Sequence, residues 1–212
     1  NPAQGVFTEH RFLHPVLNFS VEFPSGWEGV NSRELVAAVA PEGTAFTLLQ
    51  VVGEGDDPMQ VPKTLEKNGK RPLMDRVEEF TIGGLPAARL VLQTKTNEGP
   101  TTLHLTWIAY QGVLYQFVGA TSVAEFTTYE PFFSSTAESF RALTSQERAS
   151  IPVTRLRTVK AQEGETLDQL VTRSGTTWAR EELAVANGLR PGASLRKGQL
   201  LKVAIQERYS PR

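Results

Sequence analysis

The sequence predicts an α+β protein: an antiparallel sheet with packed helices, followed by a small strand–helix–helix–strand (βααβ) module. Three observations carry this. Seven short runs rich in apolar and β-branched residues are separated by tight-turn residues, the signature of strands in hairpins. Phe126, Tyr129, Phe133, Ala137 and Phe140 recur at helical spacing, which makes an aromatic stripe facing a sheet. Between Arg157 and Val203 the pattern changes from strand to helix, to helix, and back to strand.

The first strand is Leu17-Asn18-Phe19-Ser20-Val21-Glu22-Phe23, whose alternation marks one buried face. Pro24-Ser25-Gly26 turns the chain and Trp27 packs back on the sheet. Further strands are expected over Leu35–Ala40, Phe46–Val52, Arg76–Ile82, Leu85–Thr94, Thr101–Tyr110 and Val113–Ala120. Gly83-Gly84 and Gln111-Gly112 are tight hairpin turns, and Asn97-Glu98-Gly99-Pro100 is another turn. Met59–Lys67 reads as a short helix. The stripe spans Glu125–Arg141, where Pro131 either opens a second helical segment or kinks a continuous one. It reads as core packing, not as a cofactor site.

In the module, Arg157–Ala161 is a strand and Glu163-Gly164-Glu165 a loop. Thr166 is an N-cap with Gln169 completing a capping box, and Leu167, Leu170 and Val171 follow at helical spacing to a stop at Gly175. Trp178–Asn187 is the second helix, with Leu183 and Ala186 inward and Asn187-Gly188 ending it. Leu189–Gly198 is a loop and Gln199–Val203 the closing strand.

Composition bounds the chemistry. The chain has 212 residues, 40% hydrophobic and 21% charged, which is globular and not disordered. No apolar run is long enough to span a bilayer. Cysteine is absent, which excludes disulfides, thiol catalysis and Cys-ligated metal in these residues. The net charge of −1 hides an asymmetry: residues 1–148 carry 11 Lys/Arg against 17 Asp/Glu, and residues 149–212 carry 11 against 6. Two domains are expected, 1–148 and 149–212. The start at Asn1, without Met, is expected of a piece of a longer protein or of a chain whose leader has been removed.

Three stretches of the second module, Val159-Lys160-Ala161-Gln162-Glu163-Gly164-Glu165-Thr166-Leu167, Leu183-Ala184-Val185-Ala186-Asn187-Gly188-Leu189 and Leu195-Arg196-Lys197-Gly198-Gln199-Leu200-Leu201-Lys202-Val203, resemble the LysM domain over residues 156–205. Glu165 replaces the usual Asp, and one extra residue lies before the Gly. The resemblance implies binding of N-acetylglucosamine-containing glycan such as peptidoglycan, through Gly164, Glu165, Thr166, Asn187, Leu189, Arg190 and Pro191. A structural reading stands beside it: Gly164 and Gly188 turn the chain and Asn187 caps a helix.

Phe12-Leu13-His14-Pro15 followed by Phe19–Trp27 resembles the opening strand of PsbP-like α/β/α sandwich domains, and Ser139-Phe140-Arg141-Ala142-Leu143 resembles their final helix. Taken with Leu105–Phe117 and the LysM-like tail, the chain from about Gly5 to Glu207 resembles the non-catalytic C-terminal region of envelope-associated bacterial HExxH zinc metallopeptidases related to CAAX prenyl proteases. The resemblance implies a periplasmic or cell-envelope location, a zinc-bearing catalytic domain N-terminal to this region and a partner for it in the same chain, and no cofactor in this fragment. The alternative is a free-standing glycan-binding or scaffold protein of the envelope.

No catalytic constellation is read from the residues themselves. His10 and His14 have the i, i+4 spacing of a zinc helix, but Arg11 stands where the Glu belongs, Pro15 follows at once and the next residues alternate like a strand. His104 lies inside a strand. No nucleophile elbow and no phosphate-binding glycine motif is present. Gly53-Glu54-Gly55-Asp56-Asp57 lacks calcium-loop spacing and reads as a solvated loop. Arg155, Arg157, Lys160, Arg190, Arg196, Lys197 and Lys202 are interleaved on solvated faces, which argues against nucleic acid.

Overall fold

The computed structural model describes residues 5–69, 73–97 and 99–208. The chain divides into two compact units, one ending at Thr144 and one beginning at Ser145. The first opens with β1 (Val6–Thr8), β2 (Arg11–His14), β3 (Phe19–Glu22), β4 (Glu28–Asn31), β5 (Leu35–Val39) and β6 (Ala45–Glu54). Helix α1 (Gln60–Gly69) and a 3-10 turn at Met74–Arg76 follow. Then come β7 (Glu78–Ile82), β8 (Leu85–Thr96), β9 (Gly99–Tyr110), β10 (Val113–Ser122), α2 (Phe126–Glu138) and β11 (Arg141–Ala142).

Seven strands form one sheet in the order β4-β5-β6-β10-β9-β8-β7, with every pair antiparallel. β10 therefore joins two meanders, β4–β6 and β7–β9, with Phe117 opposite Leu49 on one side and Thr106 on the other. All seven predicted runs hold strands. The first starts late, at Phe19, because Asn18 sits at φ +57° in the preceding turn, a conformation Asn tolerates better than most residues. Both hairpin dipeptides have positive φ at both positions: +56° and +83° at Gly83-Gly84, +52° and +75° at Gln111-Gly112. The mirror-image turns that match strand twist require this. Of the predicted turn at 97–100, Glu98 lies outside the described residues; Thr96 and Gly99 pair across it.

Alternation divides the sheet's two faces. Val36, Leu49, Ala87, Ile108, Tyr115 and Phe117 lie on one, under a second sheet of order β1-β2-β3-β11 that contributes Phe12, Phe19 and Val21. Ala88, Leu90, Leu105 and Trp107 lie on the other, covered by Met59, by Val61 of α1 and by Leu73, Met74 and Val77 around the 3-10 turn.

The aromatic stripe becomes a single helix. α2 runs through Pro131 without breaking, losing the backbone bond the proline cannot donate. Phe133 and Ala137 are buried, and Trp27 packs against Tyr129 and Phe132 with ring centroids 5.8 Å apart in each pair. The expected helix over 139–143 is corrected. Ser139 is the C-cap of α2, and its hydroxyl accepts from the Glu22 N–H at 2.8 Å and donates to the Thr136 carbonyl at 2.6 Å. That clamp turns the chain into β11, which pairs with Phe19 and Ser20 of β3. Phe140 is thus buried from beyond the helix end, stacked on Phe19 at 5.1 Å. The sequence pattern does not mark β1, β4 or β11.

The second unit comprises α3 (Ser145–Ser150), β12 (Pro152–Lys160), α4 (Leu167–Ser174), α5 (Arg180–Ala186) and β13 (Leu200–Arg208), with β12 and β13 antiparallel. Leu167 and Leu170 of α4 and Leu183 and Ala184 of α5 close a core with Ala161, Leu195, Leu201 and Val203. Ala184, not Ala186, completes the inner face of α5. Both strands extend beyond the predicted runs at their outer ends, over 152–156 and 204–208, and Arg157 pairs with Glu207 there at 2.7 Å.

Two outcomes follow from this packing. A Cβ at Gly119 would overlap the Phe133 ring, so Gly119→Ala lowers stability by about 1–3 kcal/mol, read from urea unfolding. His104 on β9 is buried, with Nε2 3.4 Å from the Ser134 hydroxyl; burial first, and then the Arg89 charge, hold its pKa at about 4. Between pH 6.5 and 4 the unfolded chain takes up a proton that the folded chain refuses, so stability falls as pH falls through that window. His104→Gln flattens this slope by on the order of 2–3 kcal/mol over the window, measured by denaturation at stepped pH.

Candidate functional site

The loop after β12 is held by one buried carboxylate. Glu165 is 6% exposed; its Oε1 accepts from Arg173 Nε at 2.6 Å, and its Oε2 accepts from Arg173 at 2.9 Å and from the Gln162 N–H at 2.8 Å. Arg173 also donates to the Lys160 carbonyl at 3.0 Å, so one guanidinium ties strand end, loop and helix together. These hydrogen bonds, Arg173 foremost and Gln162 after it, hold the Glu165 carboxyl below the usual carboxylate range, against the opposing effect of burial. Thr166 then opens α4 with the expected capping box: the Gln169 N–H reaches its hydroxyl at 3.3 Å and the Gln169 side chain accepts from the Thr166 N–H at 2.9 Å. Gly175, at φ +63°, ends the helix as expected.

The loop after α5 is equally fixed. Gly188, at φ +65°, lets Leu189 N–H reach Ala184 O at 2.8 Å and Gly188 N–H reach Val185 O at 3.1 Å, the paired bonds of a Schellman ending. The Asn187 amide donates to the carbonyls of Leu183 and Lys202 and accepts from the Lys202 N–H at 2.7 Å, as a neighbouring strand would. Thr176 does the same two residues on: its hydroxyl donates to the Ala204 carbonyl and accepts from the Ala204 N–H, both at 3.0 Å. Side chains thus satisfy the outer edge of β13. Leu189 packs partly buried against the core, and the Arg190 carbonyl accepts from Ala193. Arg190 and Pro191 are exposed.

Of the residues singled out from sequence, Glu165 and Asn187 spend their side chains within the fold. Gly164 is an exposed turn residue at φ +72°, and Thr166 is an exposed cap. The residues hydrogen-bonded across from the 164–166 loop are Ser194 and Leu195: Thr166 pairs with Ser194, and Leu195 N–H reaches the Glu165 carbonyl at 3.3 Å. Sequence reading missed Arg173, whose signal was an arginine two turns after an acidic residue at the loop end.

Elsewhere the histidines take other places. His14 ends β2, and His10 precedes it in a turn. Among the described residues no three His, Asp or Glu side chains are grouped so as to hold a metal, and no described helix is long and apolar enough to cross a membrane.

Glu165→Gln keeps the shape of the side chain and removes its charge. Its expected cost is about 1–2 kcal/mol in the second unit, read as earlier loss of the Leu170 methyl signals on heating the whole chain. The carboxylate's contribution is full above pH 4.5 and is lost as pH falls through its lowered folded value, so the difference between wild type and Glu165→Gln shrinks in acid.

No family model and no curated protein sequence matches the chain. Solved structures do. A protein of Bacteroides thetaiotaomicron VPI-5482 superposes with a TM-score of 0.50 at 12% identity, over 74% of this chain and 55% of that one, so this chain spans little more than half its length. Cyanobacterial PsbP (CyanoP) from Synechocystis sp. PCC 6803 has a TM-score of 0.49 at 15% identity, over 66% of this chain and 96% of that one. Protein PA94 of Pseudomonas aeruginosa has 0.44 at 18%, over 59% and 92%. What the chain shares with the Bacteroides protein is a mixed α+β fold of antiparallel sheets and helices.

Proposed function

We propose that this chain is a non-catalytic region of a bacterial envelope zinc peptidase, and that its second unit is a LysM-like module. The module holds the protein on N-acetylglucosamine-containing glycan such as peptidoglycan, in the periplasm. The PsbP-like first unit serves as the docking platform for the peptidase domain or its substrate. Zinc and the hydrolytic chemistry belong to that peptidase domain.

One observation carries the glycan reading: the two loops flanking the helices are fixed before any ligand arrives. Arg173 and Glu165 hold the first, and Asn187 and the Schellman ending hold the second. Exposed positions are left at Gln162–Gly164 and Arg190–Gly192. A sugar offers many hydroxyls and little apolar area, so its binding depends on donors and acceptors that need no ordering on contact.

Titration of chitin hexasaccharide into the whole chain, followed by amide NMR, tests this. Expected are shifts at Gly164–Thr166 and Asn187–Leu195 with a dissociation constant of about 1 mM or tighter. Absence of shifts there at several times that concentration overturns the glycan reading. Reading the coding sequence upstream of Asn1 tests the parent: an in-frame HExxH supports the peptidase, and a signal peptide directly before Asn1 overturns it.

A further inference from the structure

The first unit contains a cleft that its two sheets leave unfilled. It lies between the β2–β3 hairpin and the β4–β5 turn and encloses about 90 Å³ behind an open mouth. Buried Phe19, Val36, Leu49 and Tyr115 form apolar walls, while Leu17 and His14 are partly exposed and Arg33 is exposed. Its floor is apolar and its rim is polar, through His14, Asn31, Ser32, Arg33, Glu34 and Gln50, which suits a ligand with an apolar body and a polar head, the body entering only in part.

Three of the polar groups at the cleft have donors to spare. His14 Nδ1 accepts from the Leu17 N–H at 3.1 Å, which assigns the ring proton to Nε2. Burial lowers the His14 pKa, so the ring is neutral at pH 7 and keeps that tautomer. The ring stacks on Phe19 at 5.3 Å, and its Nε2–H has no partner among the described residues. Tyr115 is 1% exposed, and its hydroxyl likewise makes no hydrogen bond among the described residues. Arg33 is presented by a fixed turn: the Ser32 hydroxyl accepts from the Glu34 and Leu35 N–H groups and donates to the Leu35 carbonyl. Its guanidinium forms no ion pair among the described residues. Glu34, exposed beside it, is the one opposing charge on the lining.

We propose that this cleft binds a small carboxylate carried on an apolar body. The carboxylate meets Arg33 and the Nε2–H of His14, and the body lies against Leu17, Phe19 and Leu49. An uncharged acceptor cannot use the guanidinium's paired donors as well as a carboxylate does. A cationic ligand would meet the Arg33 charge.

The test is titration of the whole chain with octanoate, with octan-1-ol and octylamine as matched bodies bearing other heads. Octanoate is expected to bind at about 0.1–1 mM, with amide shifts at Leu17, Leu35 and Val51, and the two comparators about tenfold more weakly. Arg33→Ala weakens octanoate about tenfold and Glu34→Gln tightens it by roughly twofold or more. Both positions are exposed, so neither substitution disturbs the fold. Equal binding of octanol and octanoate, indifference to Arg33→Ala, or no octanoate shifts at about 10 mM overturns the proposal.

Discussion

Strand β10 is hydrogen-bonded along its length to β6 on one side and to β9 on the other, and this double pairing is the constraint from which the first unit is built. Its odd-numbered side chains, Tyr115 and Phe117, lie in the core beneath the small sheet, and at the same phase Gly119 leaves room for the Phe133 ring. One strand therefore sets the position of both meanders, of the second sheet and of α2. Neither meander alone buries both of its faces. With β10 between them the sheet becomes a continuous surface on which two aromatic layers assemble, Phe12–Phe19–Phe140 on one part and Trp27–Tyr129–Phe133 on another. The cleft beside His14 lies where the small sheet and the β4–β5 turn do not meet.

The second unit solves a different problem. Two strands and two short helices give little core, so local bonds do much of the ordering: a capping box, two left-handed glycine endings, a buried carboxylate shared by one arginine and one N–H, and two side chains that imitate a neighbouring strand. The result is loops of low internal freedom on a small body. Such loops suit recognition of a ligand by polar contacts, because little entropy remains to be lost on binding.

What the sequence made legible follows from the range of the physics involved. Gly83-Gly84, Gln111-Gly112, Thr166 with Gln169, and the helix stop at Asn187-Gly188 each act within six neighbouring residues, and each does in the structure what its type implies. Tertiary causes were invisible. β4 is exposed throughout and shows no alternation. β11 is two residues long and exists because Ser139 is clamped to Glu22 and Thr136. Glu165 looked like a loop residue open to ligand; its burial depends on Arg173, a full helix away in the chain. Arg33, His14 and Tyr115 come from three separate strands or turns, and no local pattern links them.

Protein synthesis adds a direction to the strand order. β6 is complete at Glu54 and β9 at Tyr110, but β10 is not begun until Val113. At ribosomal rates of about 5–20 residues per second, β6 waits roughly 3–12 s with the edge that β10 will occupy open and its apolar face uncovered. During that interval the nascent chain carries a ten-residue strand edge available to any passing partner. The same insertion that makes the finished sheet continuous thus comes late in the order of synthesis, after both strands it joins.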